Sequence, residues 1–336
     1  MTQASTDQIS TDDKPGVIDM AARRSPPPDA LWRQVLRSPR VLVGGGVLLV
    51  ITLFCLGTMP WTVLMDSSDL FYDQAFVGGI NEGPEGNVPG LMGYDADGRS
   101  VLGRSLLGGV ISLAVGVASA AISVFLGVGV GLIAGYAGGK VDATLMRIVD
   151  IIYGLPYILL VILFKVGLER PTEGIFDDLG FERPGMAASL TVMFLAIGLV
   201  SWLTMARVVR GQVLSLRAQP FIEAARAGGV GPGRVFLRHL LPNLIGPILV
   251  YATLTIPQAI LQESFLSFLG IGVVAPLPSW GSLANAGLRP AFDPFDSAWW
   301  QLLFPCLLLA VTLLSLNFLG DGLRDLFDPK REGAKL

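Results

Sequence analysis

The chain has 336 residues, of which 52% are apolar and only 15% charged, with a mean hydropathy of +0.61 and a formal net charge of −3. Ordinary soluble domains carry about 25% charged residues, so this composition excludes a soluble protein unless the charges are evenly spread, and they are not. A single histidine, His239, and two cysteines inside apolar runs, Cys55 and Cys306, leave little for a metal cage or a Ser–His–Asp triad.

In chain order, the polar residues 1–34, which contain SPPPD, read as a disordered cytoplasmic tail. No apolar core and small-residue cleavage site follow it, so no cleaved signal peptide is expected. Six stretches nearly free of charge are then long enough to cross a bilayer, which takes about 20 helical residues: 41–65, 105–139, 143–164, 184–206, 240–262 and 297–320. The runs are continuous rather than alternating, which argues against a β-barrel. The first, in a unit spanning 35–65, reads as an uncleaved anchor, and an acidic outer loop, 66–104, follows it. Within the second, Gly127, Gly129 and Gly131 with Ala114, Ala118 and Ala121 read as a close helix–helix contact surface. Arg147 and Asp150 interrupt the third, three residues apart on one helix face, as a structural ion pair or part of a gate. Residues 168–183 form a second outer loop. Glu263 falls at the outer end of the fifth run, where it either contacts a pathway or is simply solvated. Residues 264–288 are also free of charge, but Pro276 and Pro278 argue for a short dipping or surface helix followed by a loop. Pro242, Pro247, Pro257 and Pro305 mark bends of a gate or shape packing. A five-helix core over 105–320 and a cytoplasmic tail over 321–336 complete the division.

Orientation follows from lysine and arginine. With six spans the termini share a side. Of the 24 basic residues only Arg99, Arg104, Lys165, Arg170, Arg183 and Arg289 then fall opposite, so both termini and residues 207–242 are expected in the cytoplasm. Trp61, Trp280, Trp299 and Trp300 fall at the outer boundaries, as an aromatic belt places them. The cysteines are expected to pack as small hydrophobes. The stretch GYAGGKVD lacks a phosphate loop, since Ala134 and Val141 stand where Gly and Ser or Thr are required, so no means of binding ATP is visible.

One polar stretch interrupts this apolar chain, FIEAARAGGVGPGRVFLRHLLPN at 221–243. Pro220 suits the first residue of a helix, Glu223 sits in the first turn where the dipole favours it, and Gly228-Gly229 can stop it. The product is a helix of about two turns, too short to persist alone in water. A second short helix, 234–240, leads into the fifth run.

Glu223-Ala224-Ala225, Gly229 and the later His239-Leu240-Leu241-Pro242 resemble the EAA motif of permease subunits of bacterial ABC importers. His239, where an apolar residue is usual, resembles the dipeptide/oligopeptide branch of that family, in its second-permease type. GYDADGRSVLGRSLLGG, with Tyr94 in place of the usual Thr, is similar to that branch's outer-loop block. So are GYAGGKVDATLMRIVDIIYGLP, SFLSFLGIGVVAPLPSWG and NFLGDGLRDLFDP to later blocks, and the resemblance covers about 35–330. It implies an all-α, six-span, type I ABC importer permease fold, multi-pass in the bacterial inner membrane. Residues 220–229 would be a coupling helix on the ATPase, with Glu223, Ala224, Ala225, Arg226, Gly229, Arg234, His239 and Pro242 as the coupling set. The implied partners are a second homologous permease, two ATP-binding ATPase subunits, an extracytoplasmic substrate-binding protein, a di- or oligopeptide substrate and the lipid bilayer. No catalysis, cofactor, metal or nucleic acid is implied. Nickel, glutathione or another small solute are alternative substrates within the family. A self-contained secondary transporter, a membrane scaffold, and a segment merely lying on anionic lipid are the rival functions.

Overall fold

A computed structural model describes residues 38–59, 79–88, 90–273 and 275–327. The expected N-terminal tail (1–34), Trp61, the acidic residues Asp66, Asp69 and Asp73, and residues 328–336 lie outside the described residues. Helix α1 (Pro39–Gly57) opens on proline, whose missing N–H would have no helical partner there. Helix α2 (Val101–Ala137) is capped by Ser100, whose hydroxyl accepts from the Gly103 N–H at 3.2 Å. It ends where Gly138 and Gly139 take φ of +66° and +54°, a conformation that glycine adopts without steric cost.

The third span departs from expectation. In place of one helix over 143–164 there are two, α3 (Gly139–Tyr153) and α4 (Tyr157–Asp178), meeting at 92°. Pro156 causes the break: it has no N–H to donate and drives Leu155 out of the helical region. Helix α4 also absorbs most of the outer loop expected at 168–183. Helix α5 (Pro184–Arg217) has 34 residues, about 50 Å at 1.5 Å per residue, against a hydrocarbon core of about 30 Å. Its last turns, with Arg207, Arg210 and Arg217, therefore extend past the apolar stretch. Helix α6 (Pro220–Ala227), the single turn α7 (Pro232–Val235) and a π turn (Phe236–Leu240) lead into α8 (Leu241–Phe268). Helix α9 (Trp280–Ala291) and α10 (Trp300–Phe327) close the chain. Residues 264–268 finish α8, so in 264–288 the loop precedes the short helix rather than following it, and α10 takes up 321–327 of the expected tail. Among the described residues, five helices are long and apolar enough to cross a membrane, and α3–α4 makes a sixth if the bent pair is one span.

Helices α2 and α5 pack closest. A Cβ on Gly131 would stand 2.6 Å from the Ala206 carbonyl oxygen, one on Gly135 2.7 Å from Val213 Cβ, and one on Gly127 2.5 Å from Met205 Cβ. The small-residue surface is real but shifted from the expected one. Gly129 faces open space, and Ala114 and Ala121 are exposed; Gly108, Ser112, Ser119 and Ala120 are buried in their stead.

Side-chain contacts fix which helix ends meet. Arg40 pairs with Asp325 at 2.9 Å, joining the start of α1 to the end of α10. Arg217 donates to the carbonyls of Gly135 and Tyr136 at 2.8 Å, joining the ends of α5 and α2. At the opposite end, Trp300 Nε1 donates to the Tyr94 carbonyl at 3.1 Å, holding the loop before α2 against the start of α10. That loop turns on Asp95, whose carboxylate accepts from the N–H groups of Asp97 and Arg99, both at 2.9 Å, and pairs with the Arg99 and Arg104 side chains. Burial pushes the Asp95 carboxyl up, but the Arg99 backbone N–H and the charges of Arg104 and Arg99 outweigh it and hold it below the usual range. Of the described tryptophans expected in an aromatic belt, Trp299 alone is exposed, by about half. Trp280 is fully buried with Nε1 donating to the Ser105 carbonyl at 2.9 Å, and Trp300 is buried in the loop contact. Cys55 is buried as a small hydrophobe, and Cys306 is exposed.

Candidate functional site

Helix α6 forms where expected, from Pro220 to Ala227, with Glu223 in its first turn. Its stop is a glycine turn. The N–H groups of Gly228 and Val230 return to the carbonyls of Ala224 and Ala225 at 2.9 and 3.1 Å, and Gly229 sits at φ +76°. The helix has a partner within its own chain. Ile222 is wholly buried with Val235 and Leu240, against Tyr136 and Leu216, and the Tyr136 ring meets Phe236 edge-on at 5.7 Å. This apolar knot fixes α6 to the joined ends of α2 and α5. The remaining faces are open: Phe221, Glu223, Ala224, Arg226, Gly229, Arg234 and Pro242 are exposed, and Ala225 and His239 half-buried. The His239 carbonyl accepts from Asn243 at 2.6 Å, tying the π turn to the first turn of α8. The residues expected to act together therefore lie around one knot.

The expected ion pair does not form. Asp150 pairs with Arg207 of α5 at 2.9 Å, and Arg147 on the same helix is exposed. Arg207 also lies 3.9 Å over the Tyr153 ring, and one turn further along Arg210 binds Asp142 bidentately. Arg147 and Asp150 share a face of α3, but α5 runs beside it with its own arginines, and the aspartates of α3, Asp142 and Asp150, pair across to Arg210 and Arg207.

Above this cluster a cleft of about 500 Å³ opens between the α3–α4 break, the middle of α5 and the middle of α8. Tyr157, Ser201, Thr204, Tyr251, Gln258 and Gln262 give it a polar lining. At its far end the Tyr157 hydroxyl donates to Gln262. Beyond Gln262, Glu263 removes one of its two expected settings, surface solvation: it is fully buried. Its carboxylate accepts from the hydroxyls of Ser112 at 2.9 Å and Ser267 at 2.6 Å, with Ser264 at 3.3 Å, and the Ser112 oxygen also accepts from the Trp280 N–H at 3.3 Å. Lys165, expected on the outer surface, is buried too and donates to the carbonyls of Ile271 and Gly272 just past the end of α8.

The sequence family described as binding-protein-dependent transport system inner membrane component matches residues 127–333. The chain is 37% identical to the oligopeptide transport system permease protein OppC of Haemophilus influenzae, over 90% of this chain and 89% of that one. It is 42% identical to the dipeptide transport system permease protein DppC of Bacillus subtilis, over 71% and 68%. The chain belongs to this permease family. A chain of the MetNI methionine ABC transporter, solved in inward-facing conformations, superposes with a TM-score of 0.51 at 21% identity. That match covers 67% of this chain and 96% of the other, and it shows the permease's fold: all-α, multi-pass, of the ABC importer type.

The cleft residues of this permease were not foreseen, although a signal for them exists. Tyr251, Thr255, Gln258 and Gln262 follow one another by four, three and four residues, a single face of α8 in an otherwise apolar run. The burial of Glu263 has no local signal, because one of its three serines, Ser112, lies 151 residues away.

Proposed function

We propose that this permease forms half of the translocation pathway of an ATP-driven importer of di- or oligopeptides. A second, homologous permease forms the other half, two ATP-binding subunits supply the energy, and an extracytoplasmic binding protein delivers the peptide. The chain itself catalyses no covalent step. The names of its relatives support the peptide class. Both termini and α6 face the cytoplasm, in the bacterial inner membrane, with residues 79–100 outside.

The observation that carries the mechanism is the build of α6. A two-turn helix is held from behind by Ile222 and presents Phe221, Glu223, Ala224 and Arg226 outward. Eight residues bury too little to stand alone. Anchored on the tips of α2 and α5, the helix instead passes a push on its exposed face to two long helices at once. One of them, α5, carries the Asp150–Arg207 pair and lines the cleft. Movement of an ATPase subunit at α6 thus reaches the pathway through packed contacts.

The test is uptake of a labelled tripeptide into proteoliposomes holding the permease pair, the ATPases and the binding protein. Uptake should require ATP and this chain. The chain purified alone should hydrolyse no ATP. Peptide uptake by this chain without ATPase subunits would replace the importer with a self-contained transporter.

A further inference from the structure

A membrane helix exposes hydrogen-bonding side chains at mid-length only where water, ligand or protein covers them, because lipid satisfies none of them. Helix α8 exposes such a stripe. Tyr251, Thr255, Gln258 and Gln262 lie on one face at helical spacing, with Ser201 and Thr204 of α5 across the cleft. Thr255 turns its hydroxyl back to the Tyr251 carbonyl at 2.8 Å. Among the described residues, the side chains of Thr204, Tyr251 and Gln258 have no hydrogen-bond partner, and Thr204 and Gln258 are exposed to the cleft. The stripe is thus free to bond something that enters. No residue lining the cleft carries a charge. The charges nearest in sequence are satisfied elsewhere: Asp150 by Arg207, and Glu263 by three serines behind the wall. A volume of about 500 Å³ is within the range of small-molecule sites, about 300–1,000 Å³.

We propose that this stripe is the permease's peptide-contacting wall, and that it bonds the peptide's amide groups while remaining indifferent to side-chain charge. The proposal rests on the peptide-importer reading and adds to it the residues and the basis of selection. Neutral amides and hydroxyls both donate and accept, so they match any backbone. An ionised wall residue in the cleft would favour one sign of peptide and reject the other.

The experiment introduces the charge. The full complex in proteoliposomes imports three tripeptides of similar size, anionic, neutral and cationic, and each variant's rate is divided by the wild-type rate for the same peptide. That ratio cancels any preference of the binding protein. Gln258→Glu should lower the anionic ratio about tenfold or more relative to the cationic one, as like charges within about 5 Å demand. Gln258→Lys should do the reverse, and Thr204→Asp, on the other helix, should act like Gln258→Glu. Gln258→Asn should leave the three ratios equal. Charge variants whose three ratios remain equal, whether uptake is kept or lost, overturn the proposal while wild-type uptake leaves the importer reading standing. Absence of peptide uptake by the wild-type complex overturns both.

Discussion

Glu263 and Asp95 are two buried carboxylates with opposite solutions. Asp95 is balanced by cations, Arg99 and Arg104, together with two backbone N–H groups. Glu263 is balanced by hydroxyls from three serines. Replacing Glu263 with Ala leaves Ser112 and Ser267 without their acceptor inside the protein and opens a cavity beside Trp280. The expected loss is about 2–4 kcal/mol, read as a lower midpoint of thermal unfolding in detergent; Glu263→Gln, which keeps the volume, should lose less. For Asp95 the pH dependence has a definite sign. Its folded carboxyl ionises below the usual value, so its contribution is fully present above about pH 4 and is lost as pH falls through the lowered folded value. Protease resistance of the segment around 79–100 should hold from neutral pH down to about 4 and fall below it. In Asp95→Asn, that resistance should already be weaker at neutral pH and lose its acid step. A sequence displays Ser264 and Ser267 beside Glu263, but neither Ser112 nor Trp280, and that is why its burial is not legible there and solvation stayed open beside pathway contact.

Elements were legible where local chemistry decides them. Pro220, the Glu223 turn and the Gly228-Gly229 stop set α6 to the residue, since caps and glycine turns are local. The bend at Pro156 was equally local, yet a continuous apolar run hid it, because hydropathy counts residues and ignores a missing N–H. The α2–α5 contact was legible in kind but not in face: Gly131 and Gly129 look alike in sequence, and only one meets a backbone. Gly131→Leu should therefore destabilise by about 1–3 kcal/mol or prevent insertion of a folded chain, as overpacking against backbone does. Gly129→Leu, facing open space, should be neutral. Expression and the elution profile in detergent distinguish the two. For α6 the knot separates anchoring from docking. Ile222→Asp should abolish uptake by detaching the helix from α2 and α5, with loss of protease resistance around 220–240. Glu223→Lys leaves the knot intact and reverses a charge on the exposed face. The folded permease should remain, while ATPase co-purification or coupled uptake falls about tenfold or more, as for a reversed interface charge. Unchanged uptake and unchanged ATPase association in Glu223→Lys would return α6 to the role of a helix lying on lipid.

For the whole molecule, apolar run length pointed to six spans, which the described residues meet as five long apolar helices and the bent α3–α4 pair, and basic residues supply the direction we propose; both signals come from the bilayer and need no tertiary contact. What stayed hidden is how the spans lean on one another, because Arg207–Asp150, Arg40–Asp325 and the cleft exist only once distant helices pack. Those contacts now constrain topology independently of any charge count. Arg40–Asp325 brings the first and last helices together at one end, and Arg217 brings α2 and α5 together. Helix α1 runs against both α2 and α10, since Gly109 of α2 lies against Cys55 and Gly322 of α10 against Val41, and the loop before α2 meets the start of α10 at Tyr94–Trp300, so the three contact points sort into two ends. Residues 40, 135, 217 and 325, with α6, share one; residues 79–100 and the start of α10 share the other. An orientation that splits either set breaks a packed contact. Single cysteines at 85 and 226, in a chain lacking Cys55 and Cys306, should report this to a membrane-impermeant maleimide applied to intact cells. Position 85 should label and position 226 should label only after the membrane is opened. The reverse pattern would invert the permease and place α6 outside, away from any cytoplasmic ATPase. Labelling of both from outside would break the two-ended packing itself.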